Sequence, residues 1–137
     1  MIPAPAHTRI LALTYERDDE PDKTGDLRLS VVSGDFSAAA DAYVSENLLL
    51  SFAARLKSFP LEPSGAALDA GTVTLTITPL DPHGHLPVVA YLNSTWEPGP
   101  FTQEATLRFR TDYASIDRFA RAIMAMVQAG SGDASLG

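Results

Sequence analysis

The sequence predicts an α+β fold in which an antiparallel sheet of about five strands carries two helices on one face. Alternating apolar and polar side chains indicate strands, most clearly at Thr72–Thr78, and two other segments repeat apolar residues at helical spacing. The strands between the two helices are joined by short loops, which favours antiparallel pairing because parallel strands need long crossovers. The predicted order is β-β-α-β-β-β-α, in two layers.

Two strands and one helix are predicted in the first half of the chain. Arg9–Tyr15 and Leu27–Val32 alternate in polarity and are expected to pair as a hairpin with a long loop. Residues 36–44 are rich in small side chains and are interpreted as a connection. Ser45 is a candidate N-cap, and apolar residues then recur on one helical face until Pro60 ends the helix.

Three strands and the second helix are predicted in the second half. A loop over residues 60–71 precedes strands at Thr72–Thr78, His85–Asn93 and Phe101–Arg110. Asp112 is the candidate N-cap of the last helix, because an apolar stripe follows it. Gly130 suits the C-terminal end of that helix, where a left-handed residue is common.

The length of the chain indicates one domain, and its composition excludes disulfide cross-links. It has 137 residues, of which 45% are hydrophobic, and no cysteine, so disulfides and thiol chemistry are excluded. The domain is predicted over residues 8–129, with residues 1–7 and 130–137 as flexible termini. Neither a signal peptide nor an apolar run of about 20 residues is found, so we expect a cytoplasmic protein without membrane contact.

The net charge is −7, and much of it lies in one predicted loop. Residues 16–26 contain six acidic and two basic residues. Nucleic-acid binding is disfavoured, because neutralising phosphates requires positive charge. The loop is instead a candidate contact for another protein, in particular a basic one. The residues proposed for this contact are Asp18, Asp19, Glu20 and Asp22.

Three arginines and the only tryptophan complete the candidate partner-binding residues. Arg28, Arg108 and Arg110 are expected on the polar face of the sheet together with a row of threonines. Such a face is either a solvated surface or a contact for an anion or a partner. Trp96 lies in a predicted turn, where it either covers the edge of the core or anchors an interface.

Two motifs are weakly similar to metal sites. His83 and His85 lie in a predicted turn, and a metal there would need further ligands such as Asp81. Residues 18–24 space their oxygen ligands like a calcium loop, but the glycine is misplaced and the final glutamate is lacking. Both motifs are interpreted as solvated turns, and no metal or cofactor is predicted. Motifs for nucleophilic catalysis and nucleotide binding are also missing, so we do not expect an enzyme.

The sequence resembles the WapI-type immunity proteins, which are small bacterial proteins. The resemblance rests on Phe36, on Tyr43–Val44 followed by Ser45 and the helical pattern LLLSFAARL, and on the later segment TDYASIDRFARAI. It extends over most of the chain as an order of elements and includes no catalytic residues. It implies a protein that binds and neutralises a cognate toxin in the cytoplasm of the producing cell.

Three functional hypotheses follow. The first is a non-catalytic protein-binding module, such as an immunity protein, with a specific and basic protein partner. The second is a small-ligand-binding or enzymatic domain with its site between sheet and helices, which a metabolite or a metal would stabilise. The third is a self-associating protein, for example a homodimer formed through the threonine-rich face or an edge strand.

Overall fold

The computed structural model describes residues 10–19, 23–79, 85–94 and 102–137. Within these ranges the chain forms eight strands and two helices. The strands are β1 (Leu11–Arg17), β2 (Thr24–Ser33), β3 (Phe36–Ser45), β4 (Ala66–Asp69), β5 (Val73–Ile77), β6 (His85–Asn93), β7 (Glu104–Asp112) and β8 (Ser131–Leu136), and the helices are α1 (Glu46–Lys57) and α2 (Tyr113–Ala129).

The strands form two antiparallel sheets of four strands each. The first, called sheet A, has the order β3-β2-β1-β8, and the second, called sheet B, has the order β4-β5-β6-β7. The predicted α+β class with antiparallel pairing is confirmed. The described residues contain eight strands instead of about five, and they form two sheets instead of one.

Each sheet contributes one face to a common apolar core. Along β1 the side chains of Leu11, Leu13 and Tyr15 are buried, whereas those of Thr14 and Glu16 are exposed. The helices pack against each other within the same core, where the rings of Phe52 and Phe119 meet edge to face with their centroids 6.3 Å apart. Because a shift of one residue would exchange the two faces of a strand, this burial fixes which side chains face solvent.

Both helices begin at the predicted cap residues and α2 ends at the predicted Gly130, whereas α1 ends at Lys57, before the end predicted from Pro60. The Ser45 side chain accepts a hydrogen bond from the Leu48 N–H at 3.2 Å, and the Asp112 side chain accepts one from the Ser115 N–H at 2.7 Å. This bond from the Ser115 backbone is the main cause that lowers the pKa of Asp112. Gly130 closes α2 with a φ of 82°, a conformation that favours glycine. The three predicted cap residues are therefore confirmed.

Three strands lie in segments that were predicted as a connection, a loop and a flexible tail, so these three predictions were wrong. Residues 36–44, interpreted as a connection, belong to β3, which pairs with β2 along its whole length. Ala66–Asp69, inside a predicted loop, is β4, and Ser131–Leu136, assigned to a flexible tail, is β8. These segments are rich in alanine, glycine and serine, which have low strand propensity, so pairing with a neighbouring strand decides their structure. The predicted flexible residues 1–7 lie outside the described residues.

An ionic network joins the end of β1 to both helices. Arg17 Nε donates to Glu46 Oε2 at 2.5 Å, and Arg17 Nη2 donates to the carbonyl oxygen of Val127 at 2.7 Å. The Tyr15 hydroxyl donates to Glu46 Oε2 at 2.8 Å. Glu46 starts α1, where the helix dipole favours negative charge, and Val127 lies in the last turn of α2, where it favours positive charge. One arginine thus links the first residue of α1 to the last turn of α2.

The charges of this network shift the pKa values of its members. Glu46 is only 5% exposed, yet the hydrogen bond from Arg17 outweighs burial and lowers its pKa. Burial is the main cause that raises the pKa of Tyr15 to about 12, and the hydrogen bond to Glu46 adds to it. Glu46 is therefore a structural carboxylate that is ionised in the folded protein at neutral pH.

We expect Leu136→Ala to destabilise the protein by about 2 kcal/mol, because truncation of a buried leucine leaves a cavity. Leu136 is 2% exposed and lies on the core face of β8. Thermal unfolding followed by circular dichroism measures the effect. Ser135→Ala, on the opposite face of β8, is the matched control and should change the melting temperature little. Equal melting curves for the two variants would mean that these residues lie free of the fold.

We expect Glu46→Gln to destabilise the protein by about 2 kcal/mol, between the effects of breaking an exposed and a buried ion pair. The lowered pKa means that ionised Glu46 stabilises the fold above its ordinary pKa of 4.5, and that this contribution is lost as the pH falls through the lower, folded-state pKa. The variant should therefore lose less stability than the wild type on acidification below about pH 4.5.

Urea unfolding at neutral pH and at successively lower pH values tests this expectation. Glu62→Gln is the control, because Glu62 is exposed in the loop after α1. It should retain both the stability of the wild type and its dependence on pH. If Glu46→Gln behaves in the same way, the ion pair with Arg17 does not stabilise the fold.

Candidate functional site

The face of sheet A that points away from the core carries small and charged side chains, and it is called the outer face below. Its residues alternate with the buried ones along β1, β2, β3 and β8. Four of them are carboxylates and one is an arginine, so the face is acidic. The residues are Ile10, Ala12, Thr14, Glu16, Asp26, Arg28, Ser30, Val32, Ser37, Ala39, Asp41, Tyr43, Asp133 and Ser135.

Two carboxylates lie directly opposite each other on the outer face. The register pairs Glu16 of β1 with Asp26 of β2, and both side chains are exposed. The Cβ atoms of such a pair are about 5 Å apart, and like charges there destabilise a sheet by roughly 0.2–1 kcal/mol. Neither carboxylate forms an ion pair with another residue that the structure describes. The strands therefore hold two negative charges side by side, and within the described ranges no cation is paired with either of them.

An exposed aromatic ring is fixed next to this pair. Tyr43 of β3 is paired with Asp26 and is 54% exposed. Its hydroxyl donates to Asp18 Oδ2 at 2.5 Å, and its hydroxyl oxygen lies 2.5 Å from Thr24 Oγ1. These contacts restrict the ring before any partner binds, which reduces the entropy lost on binding. They also hold Asp18, a predicted contact residue, close to the sheet.

An ion pair occupies the middle of the outer face. Arg28 Nη1 donates to both carboxylate oxygens of Asp41 at 2.9 Å, and both side chains are exposed. Such a pair contributes little to stability, since solvent screens it. The predicted contact residue Arg28 is thus on the outer face, where Asp41 neutralises it.

The end of the outer face nearest the β2–β3 turn exposes one large apolar side chain, with Ser30 and Ser37 beside it. Val32 is 47% exposed, and its backbone N–H donates to the carbonyl oxygen of Ile10 at 2.7 Å. Ile10 and Ala12 lie on the same face of the neighbouring chain segment. Phe36 is also exposed, but the alternation of β3 places it on the opposite side of the hairpin.

The other two predicted arginines lie on the second sheet. Arg108 and Arg110 project from β7 on the outer side of sheet B, paired with Val89 and Pro87 of β6. The expectation of one polar face that carries all three arginines was wrong, because the chain forms two sheets. The threonine row also lies on sheet B, where Thr74 pairs with Tyr91. A hydrogen bond to Glu104 is the main cause that raises the pKa of Tyr91.

A groove of about 320 Å³ separates the free edge of β3 from the ends of β6 and β7. Its walls include Ala38, Ala39 and Ala40 on one side and Leu92 and Ala105 on the other. The Thr72 hydroxyl bridges the two sheets by donating to the carbonyl oxygen of Asp41 at 2.6 Å. The groove is therefore a junction between the sheets, lined by small side chains and by charged ones such as Arg28 and Glu104.

Several predicted site residues fall outside the described part of the chain. They are Glu20, Asp22, Asp81, His83 and Trp96. Among the described residues, Asp19 is exposed and follows Asp18 after the end of β1, and His85 begins β6. Within residues 10–19, 23–79, 85–94 and 102–137, no group of three His, Cys, Asp or Glu side chains is placed to hold a metal ion. The helices of these ranges are too short or too polar to cross a membrane.

Sequence reasoning missed Tyr43 and Val32 as parts of one surface, because β3 was not recognised as a strand. The two residues between β2 and β3, Gly34–Asp35, are a sequence signal for a tight hairpin turn. Gly34 has a φ of 63°, as a tight hairpin turn requires. A two-residue turn there sets the register, and the register brings Tyr43 opposite Asp26.

Comparison with known proteins gives no match. No protein-family model matches the chain, no curated protein matches it, and no solved structure matches it. The resemblance to WapI-type immunity proteins therefore stays a prediction from the sequence.

Proposed function

We propose that this chain is a non-catalytic protein-binding module that binds a basic protein on the outer face of sheet A. The observation that supports the proposal is the pair of opposed carboxylates, Glu16 and Asp26, which the register holds together without a compensating cation among the described residues. A lysine or arginine of a partner placed between them would turn a repulsive pair into an attractive triad.

The overall charge favours the same kind of partner. A net charge of −7 attracts basic proteins over a distance of about one Debye length and raises their rate of association. The charged residues of the outer face lie on paired strands, so the positions of their Cβ atoms are defined before binding. A rigid, charged surface of this kind favours specific recognition and fast association.

Neutralisation of a toxin is the biological role that we propose for this binding. It rests on the resemblance of Phe36, Tyr43–Val44 and the two helical segments to WapI-type immunity proteins. A protein that covers the working surface of a toxin needs no catalytic group of its own. The partner would then be a basic toxin made by the same cell.

We expect the double variant Glu16→Gln/Asp26→Asn to bind the partner about tenfold more weakly at low salt, because two charge-assisted contacts are lost. It should also be slightly more stable than the wild type, since the repulsion between the two carboxylates is removed. The measurements are affinity capture from the native lysate with mass spectrometry, binding kinetics with the captured protein, and thermal unfolding.

The control variant is Glu62→Gln/Asp117→Asn, which removes the same number of charges from the loop after α1 and from α2. It should bind like the wild type. The toxin role is tested by expressing the captured protein in a host cell, where the wild-type chain should relieve growth arrest better than the double variant. Equal binding by both double variants would show that the outer face is not the interface.

A further inference from the structure

We propose that a single basic partner covers the whole length of the outer face, with its basic patch on the end at Tyr43 and an apolar contact on the end at Val32. This inference rests on the proposed function and specifies the surface and the chemistry of the partner. It requires a partner whose basic patch and apolar patch are about 20 Å apart, the length of six residues in a strand.

The two ends belong to one continuous surface. Asp26, next to Tyr43, and Val32 are six residues apart on β2, and both point to the outer face. Next to Val32 the outer face carries small side chains, since Ser30 is flanked by Ala12 on β1 and by Ala39 on β3. Among the residues that the structure describes, the Arg28–Asp41 pair is therefore the large group that a partner contacting both ends meets between them.

The size of ordinary interfaces supports contact at both ends. A stable interface buries about 800 Å² on each partner, which corresponds to a patch roughly 30 Å across. A partner centred on the Arg28–Asp41 pair would reach both Tyr43 and Val32. That central pair is internally neutral, so covering it requires less compensation from the partner than covering a single charge.

The distribution of exposed apolar groups also supports this arrangement. Interfaces combine an apolar contact, which slows dissociation, with charges that steer association. On the outer face the large exposed apolar side chains are Val32 and Tyr43, one at each end. Charge opposes a second copy of this chain as the occupant, because each copy has a net charge of −7 and its outer face carries four carboxylates and one arginine.

Site-specific photo-crosslinking tests the proposal in the cell. A photoreactive benzophenone amino acid is placed at Val32, at Tyr43 or at Phe59, which is 77% exposed in the segment after α1. Each variant is expressed in the native cell, irradiated, purified and analysed by mass spectrometry. We expect the same basic protein to be linked from positions 32 and 43 and not from position 59.

The outcomes separate this inference from the proposed function. A basic protein linked from position 43 but not from position 32 overturns the inference and leaves the proposed function standing. Different proteins linked from the two positions also overturn it. If neither position gives a basic protein, both the inference and the proposed function fail.

Binding kinetics with the crosslinked protein give a second test. Val32→Ser should raise the dissociation rate about fivefold, because an apolar contact is lost, and should leave the salt dependence of binding unchanged. Glu16→Gln/Asp26→Asn should instead lower the association rate and weaken its salt dependence. Phe59→Ser is the control for the loss of an exposed apolar side chain. An unchanged dissociation rate for Val32→Ser would overturn the inference.

Discussion

The ion pair between Arg17 and Glu46 is the polar contact that links both helices to the acidic end of sheet A. It joins the last residue of β1 to the first turn of α1, and the same guanidinium holds the last turn of α2 through Val127. The backbone of Arg17 adds a second link, since its N–H donates to the carbonyl oxygen of Gly130 at 2.7 Å. Glu16 precedes this fixed residue, so its carboxylate is held outside the core while Arg17 and Tyr15 are engaged within the network.

Because successive side chains of a β-strand point to opposite faces, the same strands build the core on one face and the candidate site on the other. Leu27 and Leu29 enter the core because Asp26 and Arg28 leave it, and the pairing of β2 with β3 then sets Tyr43 beside Asp26. A change of register would therefore bury the charges and expose the leucines at a cost of several kcal/mol. The apolar core thus also determines the geometry of the acidic face.

Helix ends could be predicted from the sequence because they depend on neighbouring residues, whereas the arrangement of the strands in sheets could not. The caps Ser45, Asp112 and Gly130 depend on a few neighbouring residues and were predicted correctly. β8 depends on β1, which is far away in the chain, and the many alanine and serine residues of β3 hid a strand that pairs with its neighbour β2 through the Gly34–Asp35 turn. For the same reason Arg28 and Arg108 were placed on one face, because the division into two sheets is decided by tertiary pairing.

Two neighbouring carboxylates are constrained differently on a sheet than in a loop. The sequence indicated a solvated acidic loop over residues 16–26, in which like charges can move apart. In the structure Glu16 and Asp26 belong to paired strands, and the backbone keeps their Cβ atoms close whatever rotamers they adopt. Departures from local stability rules concentrate at functional sites, because a site requires a specific arrangement even where it is unfavourable for the fold. The fixed proximity of the like-charged Glu16 and Asp26 is such a departure, and a cation supplied by a partner is the simplest group that would compensate both charges.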